Sequence, residues 1–310
     1  MTEHYFYRGF GLSFASVIPM PSIGPTQRVS GQHIDVTVDL GRVHLPDGAV
    51  TMGDLTIAVS GDAVLVAIEE VGRFSVAGGR RIVVDRDHGV ADDELLLFLL
   101  GSVFGIILYQ RGYIPFHCNA VEMNGRAILF CGDSGAGKST LAAFLEMRGH
   151  RLLTDDVCPV MLRGPTGAIT ASPGLARLKL WGESLELLGR ERAGLRQLPW
   201  QVDKYEMPLA DDRVTGDLPV GAVYHLRDDS DGRVHGIHRL AGLDAVNAVT
   251  ANIYRRRIGD LMGLGAIYLA GAVRIARDIP IYSVNRKWGL SHFEAEALAA
   301  ERHMGSSSFL

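Results

Sequence analysis

Over the first ninety residues, short apolar runs alternate with polar positions and are cut by Gly, Pro or Asp. "IDVTVDL", "LTIAVS", "AVLVAIEE" and "GRRIVVDRD" each read as a strand bounded by turns. "PMPSIGP" reads as an extended surface loop. No cluster of catalytic residue types appears there. After Asp92 long apolar stretches mix with helical spacing, which predicts an α/β domain. We therefore expect a β-rich N-terminal domain over 1–90 and an α/β domain over 91–303. The polar end "MGSSSFL", 304–310, is expected to be a disordered tail.

The run Leu95 to Tyr109, "LLLFLLGSVFGIILY", predicts a buried helix with Asp92 and Asp93 as N-cap groups. It is shorter than the ~20 residues of a membrane-spanning helix, and two glycines interrupt it. "GRAILFC" (125–131) predicts a strand. "KSTLAAFLEMRG" predicts a helix with Leu141, Phe144, Leu145 and Arg148 on one face and Gly149 closing it. "HRLLTDD" predicts the next strand, at a crossover length that suits parallel pairing. "VGAVYHLRDDSDGRVHGIHRL" reads as a hairpin around an Asp-Gly turn. It is not a calcium loop, because Arg227 and His238 stand at the first and last ligand positions.

Composition adds exclusions. A net charge of -4 argues against a general nucleic-acid binder. The three cysteines, Cys118, Cys131 and Cys158, lack zinc-like spacing and have apolar neighbours, which fits buried thiols in a cytoplasmic protein. "MTEHYFYRGF" has no basic segment leading into an apolar core, so no signal peptide and no membrane partner are expected.

The candidate chemistry starts at Gly132, Asp133, Ser134, Gly135, Ala136, Gly137, Lys138 and Ser139, which fit G-x-x-x-x-G-K-[ST] in full; Thr140 follows. Glycines let successive N–H groups face one centre, and a helix starting at Lys138 adds its positive end. Lys138 is placed to reach the outer phosphates and Ser139 to ligate Mg²⁺. Asp155 and Asp156 end the following strand, which a parallel sheet would bring beside this loop. One carboxylate suits a metal and a second suits an attacking hydroxyl. Spacing alone leaves a kinase and a nucleotide switch or ATPase equally open.

The stretch "RGYIPFHCNAVEMNGRAILFCGDSGAGKSTLAAFLEMRGHRLLTDD" resembles the HPr kinase/phosphorylase superfamily. More closely, the chain resembles the HPr-kinase-like enzymes of lasso-peptide biosynthesis, with "ASPGLARLKLW", "ANIYRRRIGDLMG" and "FYRGFGLSFASVIPMP" similar to their other blocks. The resemblance implies an α/β P-loop kinase domain of the HPr kinase C-terminal and PEP-carboxykinase-like type. It implies ATP (or another nucleoside triphosphate), Mg²⁺, and a serine acceptor on a precursor peptide, with HPr or another small protein as the alternative. A nucleotide-dependent regulatory module is a third reading, and a homo-oligomer stays open. By the same resemblance Asp155 is the base, Asp156 supports the metal with Ser139, and His117 lies near the γ-phosphate. Arg255, Arg256 or Arg257 supplies a guanidinium to the transferring group, unless they form a solvated helix end. Two features depart from the pattern. The glutamate that HPr kinases carry before Gly174-Leu175 is absent, with Ala171, Ser172 and Pro173 in that place. The Pro-Gly-Arg-Asn segment linked to dephosphorylation is also missing.

Overall fold

The computed structural model describes residues 4–24, 26, 33–163, 167–199, 201–208, 213–229, 232, 234–287 and 289–306. The fold is mixed α/β with two large sheets. The first sheet uses β1 (Tyr5–Gly9), β2 (Leu12–Ser16), β3 (Val36–Leu40), β4 (Val50–Met52), β5 (Leu55–Ser60), β6 (Ala63–Ile68), β7 (Gly72–Ala77) and β8 (Arg81–Arg86). Their order is β1-β2-β3-β8-β7-β6-β5-β4, which leaves β4 at one edge. Alternate residues of β6 are buried (Val64, Val66, Ile68), as expected of a sheet with one face on a core.

Next come α1 (Asp92–Phe98), a π-helical turn (Leu99–Val103) and α2 (Phe104–Gln110). The expected single helix is thus interrupted. The expected caps also differ: Ala91 is the N-cap, while Asp92 and Asp93 lie in the first turn and pair with Arg86 and Arg196. Carboxylates there still complement the positive end of the helix.

The second sheet contains β9 (Ile114–Met123) and β10 (Arg126–Gly132), followed by α3 (Lys138–Met147), β11 (Leu152–Thr154), β12 (Val157–Met161) and β13 (Thr170–Ala171). After β14 (Arg177–Trp181), α4 (Gly182–Leu187), β15 (Arg196–Gln197) and β16 (Lys204–Pro208), the chain enters β17 (Leu218–Asp228), β18 (Gly236–Leu240), α5 (Gly242–Ala251), α6 (Arg256–Leu261), α7 (Gly265–Asp278), β19 (Ile281–Arg286) and α8 (Phe293–Gly305). The order is β10-β9-β12-β13-β17-β19-β18, with β11 on β9 and a further parallel pairing of β10 with β17. Strands β14, β16 and β15 form a separate small sheet.

Two pairings differ from the sequence expectation. Strands β10 and β11 run parallel but are not neighbours, because both pair antiparallel with β9. Strands β17 and β18 do not form a hairpin, because β19 lies between them and pairs with both. Strand β17 is buried along most of its length and needs a partner on each side, which the exposed β18 does not supply. Asp231 of the expected turn lies outside the described residues. The tail also begins later than expected. Helix α8 runs through Gly305 and buries Met304 in the core, while residues 307–310 lie outside the described residues.

The alternation of β10 divides it between two cores. Ala127, Leu129 and Cys131 join a cluster that extends into the first sheet and α2, while Ile128 and Phe130 join one under α3 and α8. Cys131 faces Cys118 across the β9–β10 pairing, and Cys158 lies beside them; all three thiols are free and fully buried. Burial, then the two neighbouring thiols, pushes the Cys118 pKa well up. Among the described residues no helix is long and apolar enough to cross a membrane.

Candidate active site

The glycine-rich loop joins β10 to α3. Gly135 and Gly137 have φ of 84° and 76°, a region that glycine enters without Cβ strain. A Cβ on Gly137 would fall 2.4 Å from the guanidinium of Arg286, which donates to the Ala136 carbonyl at 2.5 Å. The first N–H groups of α3 have no intrahelical partner and lie at the loop, as in an anion site. The Lys138 ammonium is buried and folded over its own loop. It donates to the carbonyls of Gly132 at 2.8 Å and Asp133 at 3.0 Å. Burial lowers its pKa, against the raising effect of Cys131 and Asp156. Gly132 is pinned from outside, its N–H donating to Oδ1 of Asn252 at 3.0 Å.

The two aspartates occupy a bend between β11 and β12. Just before it, the β11–β9 register slips by one residue between Leu152 and Thr154, a bulge that re-aims the residues after it. Asp156 itself has φ of 74°, strained for a residue with a Cβ. The two carboxylates therefore have different surroundings. Asp155 is buried; its Oδ1 accepts from Ser139 Oγ at 3.0 Å and Asn119 Nδ2 at 2.5 Å, and its Oδ2 from the Lys179 N–H at 2.7 Å. Asp156 is 30% exposed, with Lys179 Nζ at 2.8 Å and His117 Nδ1 at 3.2 Å. Burial, then the neighbouring Asp156 charge, raises the Asp155 pKa. Burial also acts to raise Asp156, but Lys179 and His117 overcome it and hold that carboxyl well below the ordinary range.

Sequence reasoning missed Lys179, which holds both aspartates from β14, and Asn119. The signal for Asn119 was present: it stands two residues after His117 on β9, so both point to one face. Asn119 Oδ1 is buried without a partner. The Ser139 hydroxyl and the Asp155 carboxylate, 3.0 Å apart, are hard oxygen donors, a set that fits Mg²⁺. That ion needs only one or two protein oxygens beside phosphate and water. Among the described residues no group of three or more His, Cys, Asp or Glu forms a fuller cage.

A cleft of about 690 Å³ joins these groups. Ser134, Gly135, Gly137, Lys138, Ser139, Thr140, His117, Asp155 and Asp156 all line it. Gly132, Asp133 and Ala136 are not among its lining residues. Thr140 also shares a 2.9 Å hydrogen bond with Ser184 of α4. Of the three arginines only Arg255 lines the cleft. It pairs at 3.2 Å with Asp54, from the β4–β5 turn of the first sheet. Arg256 is 3.7 Å from Asp260 on its own helix, and Arg257 is exposed. Tyr254 reaches His117 because Gly101 and Gly105 leave room; a Cβ on either would lie within 3.3 Å of the tyrosine ring or hydroxyl. The far wall of the cleft includes Lys179, Trp181, Gln201 and Lys204 around the small sheet.

No protein-family model matches the chain. It is 34% identical over 99 residues to the HPr kinase/phosphorylase of Chlorobium luteolum, covering 32% of this chain and 28% of that protein. The namesake from Chlorobaculum tepidum is 40% identical over 65 residues, 21% of this chain and 18% of its own. That from Lactobacillus delbrueckii subsp. bulgaricus is 28% identical over 108 residues, 35% and 32%. The chain thus spans under a third of the length of each of these relatives. The solved Hpr(Ser) kinase/phosphatase of Coxiella burnetii aligns with a TM-score of 0.32 and 14% identity, over 61% of this chain and 96% of that one, a likeness too slight to bear weight. The resemblance to the HPr kinase/phosphorylase superfamily is carried by these sequence relatives, to which the chain is related over about a third of its length.

Proposed function

We propose that the cleft binds Mg²⁺ with ATP or another nucleoside triphosphate and transfers the γ-phosphoryl group to a serine hydroxyl. The observation that supports this best is the division of labour between the two aspartates. Asp155 is closed off against Ser139, whereas Asp156 is open to the cleft. On this reading the roles expected from sequence are exchanged. Ser139 and Asp155 hold the metal, which when bound offsets phosphate charge. Asp156 accepts the proton of the acceptor hydroxyl as the serine oxygen bonds to phosphorus and the bond to the nucleoside diphosphate breaks.

The remaining residues position and neutralise. The loop N–H groups and α3 hold the phosphates, and Lys138 turns from its loop carbonyls to the outer phosphates. His117 and Lys179 fix Asp156. Arg255 is the one arginine of its run that lines the same cleft, so it is our choice for the transferring group. The block Ala171–Gly174 offers no carboxylate for a second metal. We take the acceptor to be the C-terminal serine of a lasso precursor peptide. The named relatives keep a second reading, a kinase acting on HPr or another small protein.

Incubation with labelled ATP, Mg²⁺, candidate precursor peptides and HPr, followed by mass spectrometry, tests both. We expect a phosphoserine on a peptide and at least ~100-fold slower transfer by Lys138→Ala, the scale of losing one electrostatic contact to the transition state. Nucleotide binding with no transfer to any acceptor would leave a regulatory module instead.

A further inference from the structure

The far wall of the cleft holds two polar groups that its own residues leave unmatched. The Lys204 ammonium lies over the ring of Trp181, 5.1 Å from its centroid, and forms no hydrogen bond or ion pair among the described residues. The nearby aspartates are committed elsewhere, and Glu183, which also lines the cleft, is exposed. Asp203, its neighbour in sequence, accepts from Arg192 at 2.9 Å. Asp156 is held by Lys179 and His117, and Asp155 by Ser139, Asn119 and the Lys179 N–H. Burial, and then the like charge of Lys179, lowers the Lys204 pKa, against the raising effect of Asp156 and Asp155. Close by, Oε1 of Gln201 is buried without a partner. Unpaired buried polar groups are costly, and native structures keep few of them without a purpose.

The phosphate side needs none of these groups. It already has the loop N–H groups, the start of α3, Lys138 and Arg286. We propose that Lys204, Trp181 and Gln201 form an anion subsite that reads a carboxylate carried by the acceptor next to its reacting hydroxyl. This rests on the phosphotransfer reading of the same cleft. Lys204 gives the carboxylate a charge-assisted hydrogen bond, Trp181 forms an apolar floor beneath that cation, and Gln201 meets an adjacent amide. Two sources have this chemistry: the free C-terminus of a peptide that ends in serine, and an acidic side chain beside an internal serine.

Three peptides of otherwise common sequence separate them. One ends in serine with a free carboxylate, one ends in serine carboxamide, and one has an internal serine followed by aspartate and an amidated end. Binding to the full chain is measured by calorimetry with Mg²⁺ and a non-hydrolysable ATP analogue, and transfer by mass spectrometry with ATP. One of the carboxylate peptides should bind about 10- to 100-fold more tightly than the plain carboxamide, the worth of one hydrogen bond to a charged group. Lys204→Met should erase that preference, Lys204→Arg should largely keep it, and neither should change affinity for the ATP analogue. Equal binding of all three peptides overturns the subsite, as does a Lys204→Met variant that loses nucleotide affinity while keeping the peptide preference. The two readings fail separately. A Lys204-dependent preference without transfer sinks the kinase and keeps the subsite, whereas transfer without preference does the reverse.

Discussion

On the loop side of the cleft, Lys138 lies on two carbonyls, Ser139 on Asp155, and Arg286 on Ala136, all before any ligand arrives. On the facing side, Lys204 and Gln201 have hydrogen-bonding capacity that no described residue uses. The first wall presents main-chain N–H groups to a phosphate, and Lys138 turns to it from its loop carbonyls. The second is built from side chains on a small three-stranded sheet and depends on what binds there. A main-chain phosphate site beside a wall of side chains is what a shared co-substrate and a selected acceptor would require.

The most severe way to break this comparison is to remove the open carboxylate between the walls. Asp156→Asn should reduce transfer by about 10²–10⁴-fold with nucleotide and Mg²⁺ binding retained, the usual worth of a general base. Asp155→Asn should instead raise the Mg²⁺ concentration needed for half activity. Single-turnover transfer and metal titration of both variants decide it. If Asp156→Asn is the variant that needs more Mg²⁺, the roles return to those expected from sequence.

A smaller effect tests how the aspartates are held. A Cβ on Gly174 would lie 1.9 Å from Thr154 Oγ1 and 3.2 Å from the Val157 carbonyl. Gly174→Ala should therefore cost about 1–3 kcal/mol by overpacking, and it should disturb metal affinity because Thr154 adjoins Asp155. Denaturant melts with and without Mg²⁺ check this, and a change in stability alone would uncouple the block from the site.

The smallest effect serves as an outside reference. Burial pushes the Glu301 carboxyl up, but His150 and Arg148 hold it below its ordinary value. A depressed folded pKa gives stability that is present above the unfolded value and lost as pH falls through the folded one. Glu301→Gln should cost about 1 kcal/mol or less at pH 7. The gap from the unsubstituted chain should close on acidification below about pH 4, with transfer untouched. A melt series against pH reads the first, and the transfer assay the second.

The local parts of the site were visible in the sequence because neighbouring residues determine them. The loop glycines, the start of α3 and the paired aspartates lie within 25 residues of one another, and Gly149 closes α3 with φ of 93° as its position suggested. What escaped depends on strand order. Strand β19 arrives some 40 residues after β18 ends and still separates it from β17, and β9 separates β10 from β11. Lys204 and Arg286 belong to no motif, Lys179 lies in the "ASPGLARLKLW" block with no role legible there, and only pairing between distant segments brings the three to the loop. Asp54 escaped for the same reason: a turn of the first sheet has no visible chemistry until Arg255 meets it.

The three thiols beneath the loop give the protein a clock of its own. An alkylating reagent needs an exposed thiolate, and here each sulfur is sealed in the core beneath the second sheet with the Cys118 proton held tightly. Modification can proceed only while the core packed on β9, β10 and β12 opens, so its rate counts openings beneath the strands that carry the loop. Any ligand that grips the closed form must slow that count in proportion to its occupancy. Binding can thus be timed in the unaltered chain, with no acceptor identified and no turnover required.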